Sequence, residues 1–248
     1  MKNPKILGHR GASGYAPENT MEAFRLAIQQ HADGFEIDIH ITKDGEIVVI
    51  HDDTIDRTSN GTGVVTELTL AELKQFNYNV GFEEQFPTAE IPTLSQVLEL
   101  VKAHDLYLNI EIKDIMTNTG KYDGLNIAAA NLVKEFGLVD QVIFSSFNHH
   151  SMAELKQACP EIKTALLHFS KLYKGEEYAR SAYADALHPL FSIVDKSTVE
   201  QAHQAGVQMN AWTVNQPADI EAMIVAGVDA IITDYPDTAY RLRESKQA

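Results

Sequence analysis

Cysteine is nearly missing from this chain: Cys159 is the only one in 248 residues. A single thiol forms no internal disulfide, and no second cysteine stands at the spacing of a zinc motif. A reducing, cytoplasmic setting is the expectation. Long apolar runs are missing too. Only Ile6 and Leu7 interrupt the polar N-terminal residues, and nothing approaches the roughly 20 apolar residues of a membrane span. Neither a signal peptide nor stable membrane association is expected. Positive charge is scarce, with 20 Lys and Arg against 35 Asp and Glu and a net charge of -15. Nucleic acid and anionic bilayers attract basic surfaces, so this balance excludes a general nucleic-acid binder. Fixed-period repeats and low-complexity segments are also absent. A small-molecule substrate is expected, and a monomer or a homodimer fits the composition equally well.

What is present is globular, with 44% hydrophobic and 22% charged residues. Short apolar strands alternate with amphipathic helices along the whole chain. Strands are expected at 5–8, 34–42, 106–112, 141–146, 162–168, 185–188, 207–213 and 229–233, with a further strand at 46–51. Helices are expected at 18–30, 95–104, 124–136, 150–157, 174–182, 197–205, 217–225 and 237–245. Eight β/α units in this length fit a closed (β/α)8 TIM barrel better than an open sheet, giving one α/β domain over residues 1–248. Residues 52–92, rich in Thr, Asn, Gly and aromatics, break the rhythm. They are expected to form an insertion between strand 2 and helix 2, on the barrel end where active sites sit.

Alternate residues of a strand share a face. In GFEIDIHIT that puts Glu36, Asp38 and His40 together in the lumen, with Ile37, Ile39 and Ile41 under the helices. In LYLNIEIKD, Tyr107, Asn109, Glu111 and Lys113 point inward. Buried carboxylates need compensation. Three lumenal acids beside one lysine suggest a hard divalent cation on oxygen ligands, Mg2+ or Ca2+, held by Glu36, Asp38 and Glu111. A salt-bridge lattice around Lys113 is the alternative. Directly after the first strand comes Gly8-His9-Arg10-Gly11-Ala12-Ser13-Gly14. Glycines let backbone approach an anion, and the fork of Arg10 holds phosphate bidentately. The spacing GxxGxxG, followed by Pro17-Glu18-Asn19, is not that of a dinucleotide fingerprint.

His51 closes the strand at 46–50, at the same barrel mouth as His9. Two histidines there supply the pair that general acid and general base catalysis require. Trp212, the only tryptophan, shares a lumenal face with Gln208 and Asn210 and either walls a small polyol or plugs the barrel. Phe147 is a second candidate for that wall. Asp56 to Glu67 carries some EF-hand residues, but Thr58 occupies the third position and a strand precedes it, so a turn at Asn60-Gly61 is expected instead. His149-His150 reads as a solvated helix terminus.

GHRGASGYAPENTMEAF, EIDIHITKDGEIVVIHDDTIDRTSNGTG, NIEIK and AWTVN together resemble the glycerophosphodiester phosphodiesterase family, over Ile6 to about Pro236. The resemblance implies a TIM barrel with an insertion after strand 2. It implies a divalent metal, usually Mg2+ or Ca2+, on Glu36, Asp38 and Glu111. It also implies catalytic histidines at His9 and His51, phosphate contacts at Arg10 and Lys113, and an alcohol pocket lined by Trp212. The implied reaction is hydrolysis of substrates such as glycerophosphocholine and glycerophosphoethanolamine to sn-glycerol 3-phosphate and an alcohol. The attacking oxygen is then water's or that of the neighbouring glycerol hydroxyl. Three other readings stand beside it. One is a barrel phospholipase acting on lysophospholipids or phosphoinositides. The others are a zinc hydrolase ligated by His9 and His51 and a non-catalytic binding barrel.

Overall fold

The computed structural model describes residues 3–113 and 122–246. Its strands are β1 (Lys5–His9), β2 (Gly34–Ile41), β3 (Ile47–Val49), β4 (Tyr107–Ile112), β5 (Val142–Ser146), β6 (Lys163–His168), β7 (Ala186–Pro189), β8 (Gln208–Ala211) and β9 (Ala230–Thr233). All pair in parallel except β3, which folds back antiparallel on the end of β2. β1 pairs with both β2 and β9, so the eight parallel strands close into a barrel. Helices α1 (Met21–Gln29), α2 (Leu70–Leu73), α3 (Leu94–His104), α4 (Leu125–Phe136), α5 (His149–Ala158), α6 (Gly175–Ser181), α7 (Lys196–Gln204), α8 (Pro217–Ala226) and α9 (Pro236–Ser245) follow the strands. The architecture is the (β/α)8 TIM barrel expected, and among the described residues no helix is long and apolar enough to cross a membrane.

Strand alternation divides the core into two layers. Phe35, Ile37, Ile39, Leu108, Ile110 and Ile112 are buried in the main cluster together with helix residues such as Leu94, Val97 and Leu98. Smaller clusters form around Leu7, Ala230 and Ile232 and around Ile143, Ala165 and Ala186, both touching Tyr107. Register then aligns the polar residues. His9 lies beside Glu36, Glu36 beside Asn109, and Asp38 beside Glu111. Neighbouring strands in register thus bring two acids from β2 against one from β4.

Between β3 and α3 the chain makes a small cluster of its own. Ile55, Val65, Leu73, Tyr78 and Ile91 pack there on Val48 and Ile50. The short helix α2 starts on a capping box between Thr69 and Glu72.

Three local readings change. Helix α1 starts at Met21 rather than Glu18, because Thr20 caps it through Ala23 N and Asn19 adopts a left-handed conformation with φ 56°. Glu18 and Asn19 are thereby freed from the helix to face the barrel. The glycines of the first loop serve close packing. A Cβ on Gly11 (φ 86°) would stand 2.7 Å from Ala23, and one on Gly8 would stand 2.6 Å from Gly11 O. Gly11 lets the loop pack on α1, and Gly14 lets it pack on the Tyr235 ring. His149 is likewise no solvated terminus: its ring bonds Tyr178 Oη at 2.9 Å and Leu167 O at 2.8 Å.

Candidate active site

The C-terminal ends of the strands surround a cavity of about 260 Å3, lined by His9, Arg10, Glu36, His51, Asn109, Glu111 and Lys113 on one side. Phe147, Leu167, Phe169, Trp212 and Ile232 line the other side. Each expected site residue except the buried Asp38 therefore borders one pocket, and Asp38 lies just beneath it.

Both histidines have the same construction. His9 Nδ1 lies 2.7 Å from Asp234 Oδ1, and His51 Nδ1 lies 2.6 Å from Asp52 Oδ1. A carboxylate at Nδ1 keeps the proton on that nitrogen, which leaves Nε2 for chemistry. His51 Nε2 accepts a hydrogen bond from Lys113 Nζ at 3.1 Å. Burial lowers the His51 pKa, and the charges of Arg10 and Lys113 lower it further against the pull of Asp38. Burial alone would raise Asp234, but His9, Asn215 and Ser13 hold it below the usual carboxylate range. Asn215 Nδ2 donates to its Oδ2 at 2.6 Å and Ser13 Oγ to its Oδ1 at 3.0 Å.

Glu36, Asp38 and Glu111 present carboxylate oxygens within 4.8 Å of one another. Burial raises Glu36 well above the ordinary carboxylate value, and the charges of Asp38 and Glu111 add to the rise. Glu111 is pushed up to about 7 by burial and Asp38, against the pull of Lys113. Asp38 goes the other way: Arg10, Lys113 and His51 overcome its burial and hold it low. Like charges this close do not all ionise unaided. Asp38 Oδ2 accepts from Asn19 Nδ2 at 2.8 Å, whereas Oδ1 has no hydrogen-bond partner among the described residues. Three buried oxygen donors, two of them driven toward protonation and one with an orphaned oxygen, fit a hard divalent cation.

Two cations border the acids. Arg10 donates through Nη1 to Glu18 at 2.8 Å, and its Nε stands 3.3 Å from Asp38 Oδ2. Its backbone N donates to Glu36 Oε2 at 3.1 Å. Burial opposes the Arg10 charge, and Asp38, Glu18 and Glu36 more than restore it. Lys113 Nζ donates to Glu111 at 2.8 Å and stays charged because Asp38 and Glu111 outweigh its burial. Across the cavity, Phe147 and Phe169 stack with centroids 4.8 Å apart, and Trp212 stands edge-on to both. Trp212 Nε1 donates to His188 O at 2.7 Å, which fixes the indole as a wall.

Five further participants were not read from the sequence: Asp234, Asp52, Asn19, Glu18 and Phe169. Asp52 adjoins His51, and Asp234 follows a barrel strand at its C-terminal end, a position that carries chemistry in this architecture. Those were usable signals. Glu18 and Asn19 stand in the segment that carries the family resemblance, but the expected helix over 18–30 gave them no role at the site.

The family model described as the glycerophosphoryl diester phosphodiesterase family matches residues 9–238. A glycerophosphodiester phosphodiesterase of Caldanaerobacter subterraneus subsp. tengcongensis is 41% identical over 237 residues, covering 96% of each chain. Among solved structures, an Oleispira antarctica phosphodiesterase in complex with the product sn-glycerol-3-phosphate is 31% identical, with a TM-score of 0.87 and 97% of each chain covered. A glycerophosphodiester phosphodiesterase from Parabacteroides distasonis is 27% identical, with a TM-score of 0.84 and 100% of each chain covered. With a family match over most of its length and this barrel mouth, the chain belongs to the glycerophosphoryl diester phosphodiesterase family.

Proposed function

We propose that this enzyme hydrolyses glycerophosphodiesters, such as glycerophosphocholine and glycerophosphoethanolamine, to sn-glycerol 3-phosphate and an alcohol. The observation that carries the reading is the pair of carboxylate-oriented histidines bordering one cavity, with three acids and two cations between them. Glu36, Asp38 and Glu111 would hold Mg2+ or Ca2+, which when bound neutralises phosphoryl charge and polarises the phosphorus. Arg10 and Lys113 bind the phosphoryl oxygens and stabilise the charge that develops on them. One of His9 and His51 takes the proton of the attacking oxygen at Nε2, and the other returns a proton to the leaving alkoxide. Asp234 and Asp52 hold the two rings in the tautomer this exchange needs. Trp212 and Phe147, with Phe169, shield the alcohol side from water.

We take the chain as one catalytic domain over residues 1–248, with 52–92 an insertion beside the pocket. The single buried cysteine suits a cytoplasmic enzyme acting on a dissolved substrate. The test is release of sn-glycerol 3-phosphate from glycerophosphocholine after EDTA treatment, and again with Mg2+ or Ca2+ restored. Release that returns with the ion and is lost in His51→Ala is the expected result. Folded protein that binds metal and releases nothing from any glycerophosphodiester would overturn the reading.

A further inference from the structure

Residues 54–64, which overlap the EF-hand-like run Asp56–Glu67, form a braced turn. Thr54 and Val64 make an isolated antiparallel bridge, and Ile55 N donates to Gly63 O at 3.0 Å. Ser59 Oγ donates to Ile55 O at 2.8 Å and accepts from Gly61 N at 3.1 Å. Asp56 Oδ2 accepts from Gly63 N at 3.0 Å. Ile55 is fully buried in the small cluster beneath. The one long cation in this turn, Arg57, projects from it toward the barrel mouth.

Its guanidinium grips two carboxylates at once. Nη1 and Nη2 donate to Glu18 Oε2 and Oε1 at 2.7 and 2.8 Å, while Nε and Nη2 donate to Asp52 Oδ2 and Oδ1 at 2.7 and 3.2 Å. Neither carboxylate is occupied by Arg57 alone. Glu18 Oε1 also accepts from Arg10, and Asp52 Oδ1 also bonds His51 Nδ1. One planar fork from the insertion therefore fixes the partner of a phosphate-binding arginine and the partner of a catalytic histidine. Arg57 remains 49% exposed, so its ion pairs contribute little to stability. Their geometric value is larger: a bidentate pair fixes direction as well as distance, and an ammonium lacks the fork needed to copy it.

We propose that Arg57 is a positioning residue, setting Arg10 and His51 in mutual register through Glu18 and Asp52, and that the insertion serves the reaction through it. This rests on the phosphodiesterase reading, so wild-type activity is measured first in the same assay; if it is absent, the function has failed rather than the role of Arg57. Asp52→Asn is expected to act mainly on kcat, through His51, and Glu18→Gln mainly on KM, through Arg10. Arg57→Ala is expected to move both, with kcat/KM falling about tenfold to a hundredfold, the scale of a small misplacement at a reacting centre. Its melting temperature should change little. Added guanidinium should restore Arg57→Ala in a saturable way without affecting wild type, and Arg57→Lys should recover only part of the loss. Activity of Arg57→Ala within about twofold of wild type would overturn the proposal, since a positioning role requires a far larger loss. So would a loss that guanidinium leaves untouched, or one that disappears when the assay is cooled well below the variant's melting temperature.

Discussion

The two sides of the barrel mouth are built on opposite principles. On the β1, β2 and β4 side every lining residue is polar, and most are charged. There the buried charges share partners: Asp38 faces Arg10, Lys113 and Asn19, while Glu18 serves both Arg10 and Arg57. On the β5, β6 and β8 side the lining is apolar, and its rings stay partly open, with Phe147 41% and Phe169 60% exposed. Beneath that wall lies a buried polar pair, His188 and Asn210. His188 is fully buried, and its Nε2 accepts from Asn210 Nδ2 at 2.8 Å. A phosphodiester is itself divided this way, with a charged phosphoryl centre and a variable alcohol. The charged side thus suits the bond-breaking step, and the aromatic side suits the choice of alcohol.

The comparison is broken most severely on the charged side. His51→Ala or His9→Ala removes a proposed proton-transfer group, and kcat is expected to fall by about 10²–10⁴-fold in glycerol 3-phosphate release. Asp234→Asn leaves His9 in place but weakens the bond that orients it. A loss of about 10²-fold in kcat is expected, with a smaller change in KM. Unchanged kcat in Asp234→Asn would mean that His9 is held by its packing alone.

Those variants also mark what the sequence makes legible. Strand periodicity is a local property, so GFEIDIHIT and LYLNIEIKD show which acids enter the lumen, and parallel register then sets Asp38 beside Glu111. The barrel itself follows from the β/α rhythm. Asp234, by contrast, acts 225 positions along the chain from His9. Only closure of β9 on β1 brings them together, and no local pattern carries that information. Glu18 and Asn19 were hidden by helical spacing, which Thr20 overrides by capping three residues later. The loop glycines were legible as glycines, but the contacts they permit, Gly11 with α1 and Gly14 with Tyr235, depend on tertiary packing.

On the apolar side the expected response to acid sharpens the contrast. Burial depresses His188 from an ordinary 6.5 to about 3, with His168 adding to the effect. Between those values the unfolded chain binds a proton that the folded chain does not. His188 is therefore neutral in both states above pH 6.5 and costs stability as pH falls toward 3. At pH 5 that cost is about 2 kcal/mol. Urea unfolding of wild type and His188→Gln at pH 7.5 and pH 5 should show a smaller acid-induced loss in the variant by about that amount. Parallel losses in the two proteins would show that His188 is not held neutral by its burial.

The smallest effect belongs to the aromatic wall, and it tests the division of labour most directly. Phe169→Ala removes one ring of the trio and leaves every charged group untouched. An aromatic contact contributes about 0.5–1.5 kcal/mol beyond burial, so kcat/KM should fall by about twofold to twelvefold. The size of the change should depend on the alcohol, being greatest for glycerophosphocholine, whose quaternary ammonium interacts with aromatic faces. Inhibition by sn-glycerol 3-phosphate, which lacks the alcohol, should stay as in wild type. Equal losses for every substrate, together with weaker product inhibition, would place the ring against the glycerol phosphate instead. The two sides of the mouth would then read the same half of the substrate, and alcohol selection would have to come from elsewhere on the rim.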